Sequence, residues 1–208
     1  MLLTQKNDSS IFLEKSAERL LLFYEKGDEI PLSEPGFWQV TQGVVQLSKI
    51  NAGGDDVILG WATANNSFGG LVTHETNYRA QALSPTRVRW CDPSELAKSP
   101  ERARILMSQL SQRLIKAEKL LTITGMRRVR ERLWQLLLIL KEEMGQPVVN
   151  GTRLTIRFTH QNLAQIICTT RVTVTLILGE FQEQRLISID NARHIIIKHQ
   201  DAELLDIV

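Results

Sequence analysis

Residues 158–187, FTHQNLAQIICTTRVTVTLILGEFQEQRLI, decide the reading of this 208-residue chain. Thr159 is a good N-cap for a helix through Leu163, Ala164, Ile166 and Ile167, which recur at helical spacing and form one apolar face. Cys168 and Thr169 break the run, and Thr170 can cap a second helix. Val174, Ile177, Leu178 and Phe181 give that helix a face to bury, leaving Arg171, Val172, Thr173, Thr175 and Leu176 on or near the other. The pattern predicts a helix-turn-helix, a unit that sets a short helix in the major groove of B-DNA, where base edges can be told apart. A guanidinium in the first turn, that of Arg171, can donate two bonds to a guanine edge, and Val172 or Thr173 can touch a thymine methyl. Thr159, His160 and Gln161 at the start of the first helix join Thr170, Arg171, Val172, Thr173 and Thr175 as the candidate DNA-facing set. The competing reading is two ordinary amphipathic helices in a core, with Arg171 merely solvated.

The flanks favour DNA. Leu186, Ile187 and Ile189, then Asp190-Asn191, then Ile195, Ile196 and Ile197 read as two short strands around a turn, a wing behind the second helix. On the other side, Val148-Val149-Asn150-Gly151-Thr152 is a hairpin built on an Asn-Gly turn. Residues 126–200 hold 11 Lys or Arg against 6 Asp or Glu, whereas the whole chain is only +2. The positive excess therefore sits where phosphates would lie.

Composition narrows the remaining classes. A hydrophobic fraction of 43% supports one large or two modest cores. Cys91 and Cys168 are far apart and lack CxxC spacing, which argues against a disulfide framework, a zinc site or an iron–sulfur cluster. The N-terminal MLLTQKNDSS has no signal-peptide pattern, and the apolar run from Leu133 to Leu140 is too short to span a membrane. A cytoplasmic protein is the expectation.

Working towards the N-terminus, residues up to about 92 look all-β. Val44-Val45-Gln46-Leu47 and Val57-Ile58-Leu59 alternate with turn signals at Lys26-Gly27-Asp28, Ser33-Glu34-Pro35-Gly36, Asn51-Ala52-Gly53-Gly54 and Ala64-Asn65-Asn66-Ser67. From Pro93 the texture turns helical, with starts at Asp92-Pro93-Ser94-Glu95 and Ser99-Pro100-Glu101. The second of these helices is long. Ala103, Met107, Leu110, Leu114, Ala117, Leu121 and Thr124 follow a 4-3-4-3-4-3 spacing, a heptad seam. A single helix packed on a sheet can show the same stripe. The seam's regularity suits a partner helix, and a two-fold dimer would place two recognition helices on one DNA face. Met107, Leu110, Leu114, Ala117 and Leu121 are the expected interface. Gly125 offers a hinge before a basic helix that takes in Arg127, Arg128, Arg130 and Arg132, then Trp134 to Met144, with Gly145 and Pro147 as its stop.

The resulting α+β architecture has three parts: an N-terminal β-roll over residues 1–99, a long dimerisation helix over 100–125, and a winged helix-turn-helix over 126–208. In that order it resembles the cyclic-AMP receptor and FNR family of bacterial transcription regulators. The resemblance covers nearly the whole chain. TRVTVTLILGEFQEQRLISI, FGGL at residues 68–71 and YEKGDEI near the start of the roll carry it. Within the family, TRVTVT and the spaced Arg113 and Glu118 look most like the cyanobacterial nitrogen-control regulators of the NtcA type. That likeness implies a jelly roll of the cyclic-nucleotide-binding kind, a homodimer, an inverted-repeat operator of the GTA…TAC kind, a response to 2-oxoglutarate, and contact with RNA polymerase. Two departures stand out. Leu176 occupies a position where the family usually has a second DNA-contacting Arg, and leucine cannot donate a hydrogen bond. Cys168 stands in the turn where Gly is usual; if φ is positive there, a non-Gly residue carries strain, and the thiol is expected to be buried and inert.

Family members bind an anionic effector in the roll through backbone amides of a Gly-containing segment and an arginine. Phe68, Gly69, Gly70 and Leu71 match that segment, and glycines let amides approach an anion closely. The cyclic-nucleotide pattern needs an acidic residue where Gly70 stands, which argues against a cyclic nucleotide. A small dicarboxylate such as 2-oxoglutarate fits better: Arg79 and Arg113 offer two cations and Glu118 can orient an arginine. Alternatively, Arg113 and Glu118 are seam-flanking charges of an interhelical ion pair. A cupin-like enzyme is the rival from another class, but only His74 of the four histidines lies in the roll, and a multi-histidine site there is excluded.

Overall fold

Alternating inward and outward side chains build the N-terminal half as two facing sheets. The computed structural model describes residues 21–32, 36–54, 56–69 and 77–198. The first sheet has strands β1 (Leu21–Tyr24), β7 (Thr86–Cys91), β2 (Phe37–Gln42) and β5 (Ser67–Phe68) in that order. The second has β4 (Asp56–Ala62), β3 (Val45–Ile50) and β6 (Tyr78–Ala82). All pairings are antiparallel. Along β6, Ala80 and Ala82 are buried while Gln81 is exposed, the period-2 signature of a half-buried strand. The two inner faces enclose Ile30, Trp38, Val40, Leu47, Phe68 and Val88. These observations give the β-roll expected from the sequence. Gly70 and Leu71 of the FGGL segment, and the Ser33-Glu34-Pro35 turn, lie outside the described residues.

A short α1 (Ser94–Ala97) leads into α2 (Pro100–Gly125). Ser99 caps α2 through its hydroxyl, which accepts from Arg102 N at 3.4 Å, and Pro100 sits at the first helical position, where its missing N–H costs nothing. The helix stops at Gly125, and α3 (Val129–Met144) follows after a break of three residues. Arg127 and Arg128 therefore lie in the connection rather than inside the basic helix that the sequence suggests. Two ion pairs tie the two helices together at 2.7 Å each, Lys116–Glu143 and Lys119–Glu142.

The C-terminal part packs α3, α4 (His160–Ile166) and α5 (Arg171–Glu183) against a sheet of order β10-β11-β9-β8. Strands β8 (Gly145–Val148) and β9 (Gly151–Leu154) form the Asn-Gly hairpin, and β10 (Ile187–Ile189) and β11 (Ile195–Ile197) form the wing. Gly151 is required in the hairpin. Its φ is +152°, and a Cβ there would lie 2.1 Å from Ile197 O on β11. The core of this part is Leu133, Leu137, Leu163, Ile167, Leu178 and Phe181, with the Trp134 ring edge-on to Phe181 at 5.3 Å. It is continuous with the roll through Val44 and Trp61, and Trp61 meets Phe158 edge-on at 6.1 Å. Among the described residues no single helix is long and apolar enough to cross a membrane.

Candidate nucleic-acid interface

Two capped helices build the site. Thr159 Oγ1 accepts from Asn162 N at 3.1 Å while Asn162 Oδ1 accepts from Thr159 N at 3.1 Å, a reciprocal cap that fixes the start of α4. Thr170 Oγ1 accepts from Thr173 N at 3.1 Å and fixes the start of α5. Between them the chain turns at Cys168, whose φ is +52°. From α3, Arg132 donates to the Ile167 carbonyl at 2.9 Å and so satisfies an orphan acceptor at the end of α4. The two helix axes diverge by 106°.

Burial of Val174, Ile177, Leu178 and Phe181 turns the opposite face of α5 to solvent. Arg171, Val172, Thr175 and Leu176 are exposed there, with Thr173 half-buried. Among the described residues the Arg171 guanidinium makes no ion pair, so its donors stay free for a base edge. The threonines differ. Thr175 donates to the Arg171 carbonyl at 2.9 Å and meets His160 Nδ1 at 2.7 Å, and Thr173 Oγ1 lies 2.9 Å from Thr170 Oγ1. Thr159 is engaged by Asn162, His160 is half-buried against Thr175, and Gln161 is exposed beside them.

The N-termini of both helices and the wing enclose a groove of about 680 Å³. Arg157, Arg171 and Arg193 line it, all three exposed. Arg157 and Arg193 are absent from the candidate set read off the sequence. Each stands in an irregular flank with no periodicity to mark it, and only the local basic excess hinted at them. Three cations around one groove beside an exposed helix form a polyanion-binding surface. The wing is braced from behind, where Arg153 Nε donates to Asp190 Oδ2 at 2.6 Å and holds that carboxyl below its usual range. Asp190 in turn accepts from His194 N at 2.8 Å.

Residues 131–205 match the model of the Crp-like helix-turn-helix domain. A global nitrogen regulator of Synechococcus elongatus is 31% identical over 164 residues, covering 74% of this chain and 73% of the relative. The chain belongs to the CRP/FNR family of helix-turn-helix transcription regulators. The regulatory protein CysR of the same organism is 30% identical over 157 residues, covering 74% of this chain and 72% of CysR. Among solved structures, a CRP/FNR family transcriptional regulator of Thermus thermophilus superposes with a TM-score of 0.69 at 24% identity, covering 85% of this chain and 92% of that one. As a CRP/FNR protein the chain is a DNA-binding transcription regulator and not an enzyme.

The structure corrects two expectations. Cys168 is exposed rather than buried, because the turn between α4 and α5 projects toward a cleft beside β4 instead of into the core. Arg79 and Arg113 do not converge. Arg79 is held by Glu29 through two bonds, 3.1 and 3.0 Å, whereas Arg113 donates to the Tyr78 hydroxyl and stacks 5.7 Å from that ring. Tyr78 and Arg79 are neighbours on one strand, so they point to opposite faces of the sheet. Glu118 is exposed on α2, five residues beyond Arg113 and on a different side of the helix. Phe68 is fully buried in the roll core, and Gly69 follows it at φ +118°.

Instead, Arg113 shares a small cavity with residues that periodicity cannot single out. Trp61 Nε1, Gln109 Oε1 and Arg113 Nη1 are buried without a hydrogen-bond partner among the described residues, and the three residues line one cavity of about 20 Å³ between the roll and α2. Asn66, Ser67 and Lys116 complete its polar lining.

Proposed function

We propose that the chain acts as a homodimer, reads an inverted repeat related to GTA…TAC, engages RNA polymerase at its promoters, and is gated by a small anionic effector for which 2-oxoglutarate is the candidate. The stripe on α2 carries the dimer reading. Met107, Leu114 and Leu121 are 64%, 62% and 72% exposed in the single protomer, with Ala117 exposed and Leu110 half-buried between them. Large apolar side chains at heptad spacing are stabilised only when a second helix covers them. Glu118 flanks this stripe, three residues from Leu121 and four from Leu114, where it faces a partner helix. A two-fold axis along α2 would set two copies of α5 against one face of a duplex.

Two stranded donors support the effector reading. Arg113 and Trp61 carry donors without a partner among the described residues and both line one cavity, a pair that suits the oxygens of a carboxylate beside a carbonyl. Leaving such groups unpaired costs about 1–3 kcal/mol each, which a ligand would recover. A space of about 20 Å³ holds roughly one water, so a five-carbon dicarboxylate enters only if α2 shifts against β4 and β5. That displacement couples the effector to the helix that joins the protomers, and it acts only through tighter binding to the DNA-competent arrangement. The name of the Synechococcus relative, a global nitrogen regulator, fits an effector that reports nitrogen status.

Sedimentation velocity and calorimetric titration with 2-oxoglutarate test the two parts separately. The expected results are a dimer, saturable 2-oxoglutarate binding, and loss of that binding in Arg113→Ala. A monomer removes the dimer reading, and absence of binding at millimolar 2-oxoglutarate removes the effector reading.

A further inference from the structure

Resting on the DNA-reading role of α5, we infer that Val172 and Leu176 form an apolar sensor for thymine C5-methyl groups, and that thymines mark the operator half-site beside the base read by Arg171. Two observations carry this. Val172 and Leu176 are 68% and 65% exposed and stand one turn apart on the solvent side of α5, the helix whose Arg171 lines the groove. No described residue covers them. In addition, the hydroxyls around them are committed. Thr175 spends its only proton on the Arg171 carbonyl and receives His160, and Thr173 is tied to Thr170. In the first two turns of α5, Arg171 is left as the side chain with uncommitted donors. The helix therefore meets the groove floor with one cation and two aliphatic tips.

The chemistry of the groove then selects the partner. The C5-methyl of thymine is the apolar group that base edges display in the major groove. Leucine and valine can neither donate nor accept, so against any other edge they strip water from polar atoms without replacing it. Residues four apart on a helix rise about 6 Å, close to the rise of about two base steps. The pair thus spans methyl groups on neighbouring or next-neighbouring base pairs. Burial of one methyl is expected to change affinity about four-fold.

Site selection by the full-length protein from a randomised inverted-repeat library, followed by thymine-to-uracil replacement in the selected duplex, tests the inference. Uracil keeps every hydrogen-bonding group and lacks only the methyl. The expected results are selected half-sites with thymine at two positions and about four-fold weaker binding for each uracil. At one of those positions Leu176→Ala should bind uracil and thymine equally. Leu176 is exposed, so the variant keeps the fold. Uracil binding as tightly as thymine to the wild-type protein, or Leu176→Ala keeping full methyl sensitivity at both positions, overturns the inference while leaving DNA reading intact. Failure to select any sequence overturns the DNA-reading role itself, and the inference with it.

Discussion

His160 Nδ1 lies 2.7 Å from Thr175 Oγ1, joining the first residue of α4 to the second turn of α5. Thr175 has a single hydroxyl proton, and the Arg171 carbonyl takes it at 2.9 Å. With that proton on the carbonyl, Nδ1 is the donor in the contact with Thr175. This bond braces the recognition helix against the helix that precedes it. His160→Ala should lower folding stability by about 1 kcal/mol, the typical worth of one such bond. Affinity for all DNA sequences should fall together, with base preference retained. Denaturant melts and anisotropy titrations on two duplexes measure both effects, and unchanged stability would show that the contact braces nothing.

Arg171→Ala separates base reading from general attraction to DNA. The side chain is exposed and outside any ion pair among the described residues, so the fold should be unaffected. Discrimination at one base position should drop by about 1–3 kcal/mol. Arg157 and Arg193 remain, so binding to scrambled DNA should persist with its salt dependence nearly intact. A variant with full operator selectivity would refute the assignment.

Leu114→Asp places a charge at the centre of the exposed α2 stripe. Leu114 is 62% exposed in the protomer, so the folded chain should tolerate the change while the dimer should not. Sedimentation should show monomers, and affinity for a full inverted repeat should fall toward that for a half-site. A variant that stays dimeric would place the interface elsewhere.

Much of this architecture is legible along the chain because it rests on local physics. The caps Thr159 and Thr170, the buried series Val174, Ile177, Leu178 and Phe181, the Asn150-Gly151 turn and the wing strands all depend on residues within a few positions of one another. The first sheet is different. Its order, β1-β7-β2-β5, pairs Leu21 with Arg89, and nothing in either segment specifies the other. The same limit applies to the cavity shared by Trp61, Gln109 and Arg113, which one strand and one helix bring together. That Arg79 and Arg113 do not meet is equally hidden, because neighbouring residues on a strand take opposite faces and only the strand's pairing decides which face of β6 is inward. Cys168 was misjudged because its exposure depends on where the whole helix pair docks, not on the turn itself.

Cys168 at φ +52° carries the cost of a left-handed conformation on a residue with a Cβ. Cys168→Gly should stabilise the chain by roughly 1 kcal/mol and raise its melting temperature by about 3 °C. Calorimetry checks this, and a destabilised glycine variant would mean that the thiol's contacts in the cleft outweigh the strain.

Acid should weaken the wing. Burial, followed by the Arg153 charge, lowers the His194 pKa from its ordinary 6.5, although Asp190 opposes the shift. A folded pKa below the unfolded one means that the unfolded chain takes up the proton first. The stability contribution is full above about pH 6.5 and declines as pH falls from there toward the folded value. Asp190, lowered chiefly by its bond to Arg153, adds a second loss as pH falls further, through the carboxylate range. Between pH 7.5 and pH 5.5 the wild-type chain should lose stability relative to His194→Gln in parallel melts; equal losses would remove His194 as the cause.

The most direct test of the central claim is fluorescence anisotropy at fixed salt, titrating the full-length protein onto a labelled GTA…TAC inverted repeat and onto a scrambled duplex, each with and without 2-oxoglutarate. The account predicts tighter binding to the repeat than to the scrambled duplex, strengthened by 2-oxoglutarate. Equal affinity for the two duplexes under both conditions would contradict it.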